Sequence, residues 1–185
     1  DVRLVDQDMI LVKKPLESRE VAAGNYDTQL ELDIGGTPAA FSRGYLVVDV
    51  EIKGNEYRFV NTHLEVRSEP GSPFRLAQSA QMFELLTTIG GLSVDGPPQV
   101  IMVGDFNSSP EDIPGEAIDP SDGKLKPYVP PYMLATGYFG YLDSWLLQKR
   151  YDDGYTSGFD EFVSDPNAEL TTRIDHVFLG PNGYK

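Results

Sequence analysis

The chain has 185 residues, 18 of them Gly and 14 Pro, a formal net charge of −14 and no cysteine. That length suits one ordinary domain with a sizeable core, and the missing cysteines remove disulfides, thiolate nucleophiles and cysteine-based zinc sites. The acidic balance argues against broad electrostatic capture of nucleic acid, though not against an enzyme that meets a few phosphates through a bound cation. An apolar content of 40% argues against a disordered chain. No apolar run is long enough to span a bilayer, and residues 1–14 look nothing like a signal peptide.

In chain order, "RLVDQDMILVK" alternates charged and apolar positions and predicts an opening strand. A Gly/Pro/Asn-bearing loop follows to about residue 43. "YLVVDVEI" and "YRFVNTHL" flank "KGNE" and predict an antiparallel hairpin turning at Gly54-Asn55. Ser72-Pro73 reads as an N-cap followed by proline at the first helical position. Leu76, Ala80, Phe83 and Thr87 then recur at helical spacing until Gly90-Gly91, so residues 73–89 are expected to form an amphipathic helix. "PPQVIMVGDFN" reads as a strand buried on both faces. Residues 108–130 read as a long loop, followed by a short helix near 131–137 and an element at "YLDSWLL". A second loop, 151–170, leads to a last strand, "TRIDHVFL". No repeat or domain boundary interrupts the pattern, which suggests stacked sheets with helices outside.

Two histidines are present, His63 in "NTHLE" and His176 in "RIDHVF". A lone strand histidine is more often packing or surface than catalyst. Two of them, beside Asn61 and Asp175, together with a strand tip that presents Asp105 and Asn107 in "VGDFNSSP", suit a more specific chemistry. Attack of water on a phosphate ester needs a hard divalent cation held by carboxylates. It also needs a base, for which Asp or His serves, and donors aimed at the non-bridging oxygens, for which Asn or His serves. Asp105, Asn107, Asp175, His63 and His176 supply each part. Asp143, in "YLDSW", reads either as a helix N-cap or as a carboxylate that accepts a hydrogen bond from a ring nitrogen of His176. Neighbours in a regular strand point to opposite faces, so Asp175 and His176 reach one site only at a strand end or an irregularity.

Taken together, "RFVNTHLE", "VIMVGDFNSSP", "GYLDSW" and "TTRIDHVFL", in that order, resemble the endonuclease/exonuclease/phosphatase superfamily, whose fold is DNase I-like. The chain looks like the C-terminal portion of a bacterial, often exported, member. The resemblance implies an α/β four-layer sandwich of mixed sheets flanked by helices, and Mg²⁺- or Mn²⁺-dependent hydrolysis of phosphodiesters or phosphomonoesters. It implies that His63 contacts or protonates the scissile group, that Asp105 orients or deprotonates water, and that Asn107 holds a phosphate oxygen or metal. It further implies that Asp175 ligates metal and that His176, steadied by Asp143, is a base or phosphate ligand. Asp105 and His176 both stay open as the base.

Members of that superfamily begin with an Asn-bearing strand and a metal-binding Glu in a "QE" pair, and neither is recognisable here. Glu20, in "SREVA", lies in a loop-like stretch after the wrong strand and is rejected as that ligand. The resulting expectations are that an N-terminal part of the domain precedes residue 1, that the 185-residue chain is inactive or nearly so, and that an exposed sheet edge drives self-association. The resemblance implies a phosphate-ester substrate of nucleic acid, nucleotide, or phospholipid or inositol phosphate type. The reading from a different class is a non-catalytic binding or scaffold module that kept the fold. Specificity would lie in residues 15–43, 66–72, 108–130 and 151–170. Arg67, Arg75, Lys124 and Lys126 read there as ordinary surface charges.

Overall fold

The computed structural model describes residues 7–92, 98–149, 152–159 and 163–181. It opens with β1 (Ser18–Asn25), a ribbon of β2 (Glu31–Ile34) and β3 (Thr37–Ala40), the hairpin β4 (Gly44–Ile52) and β5 (Asn55–His63), and helix α1 (Pro73–Gly91). Then come β6 (Gln99–Asp105), a ribbon of β7 (Gly115–Ile118) and β8 (Leu125–Tyr128), and a helical turn α2 (Pro131–Met133) that widens into a π turn (Leu134–Tyr138). The chain finishes with β9 (Leu142–Asp143), a 3₁₀ turn (Ser144–Leu147) and β10 (Asp175–Leu179). Six strands form one mixed sheet in the order β1-β4-β5-β6-β10-β9, with β5 and β6 the parallel pair.

The mixed α/β class agrees with the sequence reading, and among the described residues the layers comprise this one large sheet and two ribbons. Several local expectations change. Residues 7–13 form no strand; they pass beside β5, where Asn61 Nδ2 donates to the Met9 carbonyl at 3.1 Å. Residues 3–6 of that expected strand lie outside the described residues. The stretch read as loop to residue 43 carries β1, β2 and β3. Glu20 therefore sits exposed in β1, paired with Val48, rather than in a loop. The hairpin turns at Lys53-Gly54, one residue early, because both take positive φ (54° and 78°) and Ile52 pairs with Asn55. The 108–130 stretch contains the β7–β8 ribbon, and β10 starts at Asp175.

Helix α1 forms where expected, with Ser72 Oγ accepting from the Phe74 amide, but it turns a different face inward. Ala77, Gln78, Gln81, Met82, Leu85, Leu86 and Ile89 are buried, whereas Ala80, Phe83 and Thr87 are exposed. Two glutamines on the inner face break its apolar stripe and leave the outer stripe looking more regular. The inner face covers a single row across the sheet. Val47, Val60, Met102 and Phe178 stand in register on β4, β5, β6 and β10 and are fully buried. Strand β6 is not buried on both faces as its sequence suggested. Met102 is sealed, but Ile101 and Val103 on the other face are half-buried, and neighbouring Val177 is 42% exposed.

Gly104 is required by close approach. Its φ is 150°, and a Cβ there would lie 1.9 Å from the Thr62 carbonyl oxygen on the parallel neighbour. Because that oxygen is backbone, no side chain can move aside to make room. Gly104→Ala is expected to cost more than about 3 kcal/mol, read as a lower midpoint in chemical denaturation. An unchanged midpoint would contradict the close packing of β5 on β6.

Candidate active site

The parallel pairing of β5 and β6 brings their carboxyl ends to one edge of the sheet, and antiparallel β10 starts at the same edge. The register places His63 beside Asp105 and Asp105 beside Asp175. All three stand on the face opposite α1, because each is an odd number of residues from the buried row. A histidine and two carboxylates thus lie side by side, about 5 Å apart by strand spacing. His63 Nε2 is 3.6 Å from Asp105 Oδ2, with the two side chains about one-third exposed.

Each end of this row is fixed from behind. Arg43, just before β4, points Nη1 at His63 Nδ1 at 3.0 Å and Nη2 at Glu65 Oε1 at 3.7 Å. Arginine only donates, so Nδ1 accepts and the His63 proton resides on Nε2, toward Asp105. Asp105 Oδ1 accepts from the Asn107 amide at 2.8 Å. Burial pushes the Asp105 carboxyl above the ordinary carboxylate range; the Asn107 amide opposes the shift and the charge of Asp175 adds to it. Thr156 Oγ1 accepts from the amides of Ile174 and Asp175, both at 3.2 Å, and fixes the start of β10.

His176 stands elsewhere. As the next residue in a regular strand it turns to the α1 side, is 4% exposed, and packs against Phe106, Tyr132 and Phe178. Nε2 lies 2.7 Å from the Ser108 carbonyl and Nδ1 lies 2.9 Å from Arg173 Nη1. The arginine must be the donor, so Nε2 carries the proton and both ring nitrogens are engaged. Burial lowers its pKa below the usual histidine value, against the Ser108 carbonyl. The expected direct hydrogen bond from His176 to Asp143 is replaced by a relay, since Arg173 Nη2 donates to Asp143 Oδ2 at 2.7 Å. Asp143 is 1% exposed, accepts from the Tyr132 hydroxyl, and caps the 3₁₀ turn through the Trp145 amide at 3.0 Å. Its N-cap reading is the one seen directly.

Asn107, at φ 48°, lies just behind the row. Its Nδ2 donates to the Leu64 carbonyl at 3.1 Å, which leaves its oxygen as the end available to water or metal. Gln78 of α1 donates to the carbonyls of both Glu65 and Asn107, at 2.8 and 2.9 Å, and so joins the segments leaving β5 and β6. Gln81 accepts from the Glu65 amide at 2.8 Å. Sequence reasoning passed over Arg43, Gln78, Gln81, Thr156 and Arg173. The available signal was polar residues inside or next to confident elements, notably "QSAQ" in the helix and "TTR" before the last strand.

Two clefts flank the row. One, of about 550 Å³, includes Arg67, Arg75, Asn107 and Asp112. Asp112 is bridged by Arg67 at 2.7 Å and Arg75 at 3.4 Å, so Arg75, 8% exposed, is a buried strut rather than a surface charge. Lys124, on the turn of the β7–β8 ribbon, and Lys126, in β8, stay exposed beside Asp119 and Asp122, as expected. The other cleft, of about 610 Å³, is lined by Asp105, Asp175, Trp145, Asp152, Tyr155 and Arg173 among others.

A family model described as "Endonuclease/Exonuclease/phosphatase family" matches residues 7–184. No curated protein matches the chain significantly. Among solved structures, a mannosyl-6-phosphatase of Bacteroides thetaiotaomicron superimposes with a TM-score of 0.57 at 20% identity, over 89% of this chain and 53% of that one. The human nocturnin catalytic domain with bound sulfate anion gives 0.52 at 15% identity, over 88% and 48%. A Staphylococcus aureus beta toxin mutant with bound magnesium ions gives 0.50 at 13% identity, over 77% and 44%. At these identities the likeness is one of fold, and the chain spans about half the length of the structures it matches.

Proposed function

This chain belongs to the Endonuclease/Exonuclease/phosphatase family, whose members are phosphoesterases, and from that premise we propose that it carries the hydrolytic centre of a divalent-metal-dependent phosphoesterase. The observation that carries the reading is the row of His63, Asp105 and Asp175 on one face of one strand edge. Among the described residues no group of three or more His, Asp or Glu side chains is arranged to hold a metal. One or two hard carboxylates are nonetheless what Mg²⁺ or Mn²⁺ commonly takes from a protein, the remaining positions going to water and substrate phosphate. Asp175 and the Asn107 oxygen would hold the cation, and Asp105 beside them would be left to act on water. Such a cation, when bound, neutralises phosphate charge and lowers the pKa of water.

The chain's own side chains divide the remaining work. His63, its proton kept on Nε2 by Arg43, donates to a non-bridging phosphate oxygen. Asp105, with Oδ1 engaged by the Asn107 amide, offers Oδ2 to accept a proton from the attacking water. Burial that raises its proton affinity favours this role over that of a spectator carboxylate. His176 has both nitrogens bonded and supports the sheet edge from behind, so of the two candidate bases Asp105 is preferred. The magnesium and sulfate in two of the related folds support a cation-and-anion reading.

The test is release of nitrophenol from p-nitrophenyl phosphate and from its bis-ester, with Mg²⁺ or Mn²⁺ and with EDTA. Metal-dependent hydrolysis of either ester is the expected result. Hydrolysis indifferent to EDTA removes the cation from the reading. Saturable ester binding with no hydrolysis at any metal concentration favours the non-catalytic binding module instead.

A further inference from the structure

We propose that the 610 Å³ cleft beside Asp105 and Asp175 receives a neutral ring of the substrate, a sugar or a nucleobase, packed on Trp145 and Tyr155. This rests on the phosphoesterase reading and narrows its substrate class. One end of the cleft is formed by the two carboxylates, where the phosphate would sit, and the other by exposed aromatic and apolar side chains. Trp145 is 38% exposed, Tyr155 41% and Val177 42%. Large apolar side chains left open next to polar groups are the usual composition of a small-molecule site, and the volume falls within the range of such sites.

Trp145 is also held in place. Its amide donates to Asp143 Oδ1 at 3.0 Å and its indole Nε1 donates to the Asp152 carbonyl at 2.8 Å. Gly154, at φ 65°, lies so close that a Cβ there would be 2.3 Å from Cε2 of the indole. A surface tryptophan needs none of these fixings, whereas a wall that must present a preset surface does. The charge of the cleft selects the guest further. Asp105, Asp152 and Asp175 line it against one buried arginine that Asp143 and His176 already engage. A second phosphate or a carboxylate on the guest would be repelled, and a flat uncharged ring would not. Contact of a sugar or base face with an aromatic wall strengthens binding about tenfold or more.

Trp145 is the only tryptophan of the chain, so its emission reports on this wall alone. The experiment titrates the protein, in Mg²⁺, with glucose 6-phosphate, AMP, glycerol 3-phosphate and phosphocholine, following Trp145 fluorescence and heat of binding. The expected result is that glucose 6-phosphate or AMP alters the emission and binds about tenfold more tightly than glycerol 3-phosphate. A response to the sugar alone or to the base-bearing ester assigns the ring. Tyr155→Ala and Trp145→Leu, with folding checked by circular dichroism, are each expected to erase that preference in the calorimeter; Trp145→Phe is expected to keep most of it. Equal binding of all four esters, a preference for phosphocholine, or no binding overturns the proposal. Ring preference without hydrolysis would leave the subsite and remove the esterase; hydrolysis without ring preference would do the reverse.

Discussion

Asp105→Asn is expected to lower ester hydrolysis by about a thousandfold or more, without lowering the thermal midpoint. The loss follows from its position. Asp105 is the middle member of the row, flanked by His63 and Asp175, about one-third exposed, with its Oδ2 3.6 Å from His63 Nε2. Asparagine has nearly the same shape and still accepts from the Asn107 amide, so the turn at the strand end persists. It cannot take a proton from water. The stability side follows from electrostatics. A part-buried carboxylate beside a second one is unfavourable when charged, by burial first and by Asp175 next. Removing that charge is expected to leave the midpoint unchanged or a few degrees higher, the trade often seen at functional sites. Full activity in Asp105→Asn would remove its role as base; a midpoint several degrees lower would make the carboxylate a structural group.

The second large effect belongs to a residue outside the row. Arg173→Met is expected to destabilise the protein by about 3–5 kcal/mol, because it leaves Asp143 buried with its charge uncompensated. Asp143 is 1% exposed and Arg173 6%, and their contact at 2.7 Å is continued to His176 at 2.9 Å. For a chain of this length that loss lowers the thermal midpoint by about 10 °C. The double variant Arg173→Met with Asp143→Asn is expected to recover most of it, since the asparagine oxygen still accepts from the Trp145 amide, its Nδ2 donates to the Tyr132 hydroxyl, and no charge is stranded. A double-mutant cycle measures the coupling; strict additivity would contradict the relay. The same double variant tests the two candidate bases. With Asp105 as base, activity of the refolded double variant stays within about tenfold of the parent. With His176 as base, oriented through Arg173, it collapses.

A mature sheet edge also bears on the expectation of self-association. Strand β1 lies at one border of the six-stranded sheet and β9, only two residues long, at the other. The short strand is the kind of border that offers little for pairing, and β1 carries exposed Arg19 and Glu20, charges that oppose edge-to-edge contact.

What could be read from the chain alone was whatever depends on neighbours in sequence. The hairpin is written in two alternating runs around a Gly-containing turn, the start of α1 in Ser72-Pro73, and the strand tip in Val100 to Asn107. The four ordered motifs named the family, and the family model over residues 7–184 agrees. What depends on partners distant in sequence was not legible. The inner face of α1 was missed because Gln78 and Gln81 look like solvent-facing residues until the carbonyls of Glu65, Asn107 and Thr28 are brought to them. Arg43 and Arg173 carry no signal in the sequence until the fold sets each against a histidine Nδ1. The period of two along β10 already warned that Asp175 and His176 diverge, but only the sheet decided which one faces the site. Strand pairing put His63, Asp105 and Asp175 in one row, because two parallel ends and one antiparallel start meet at a single edge. The sequence alone thus determined the residue types and the family; the tertiary structure decided which of them share a face, since side-chain direction is local but the identity of the neighbouring strand is not.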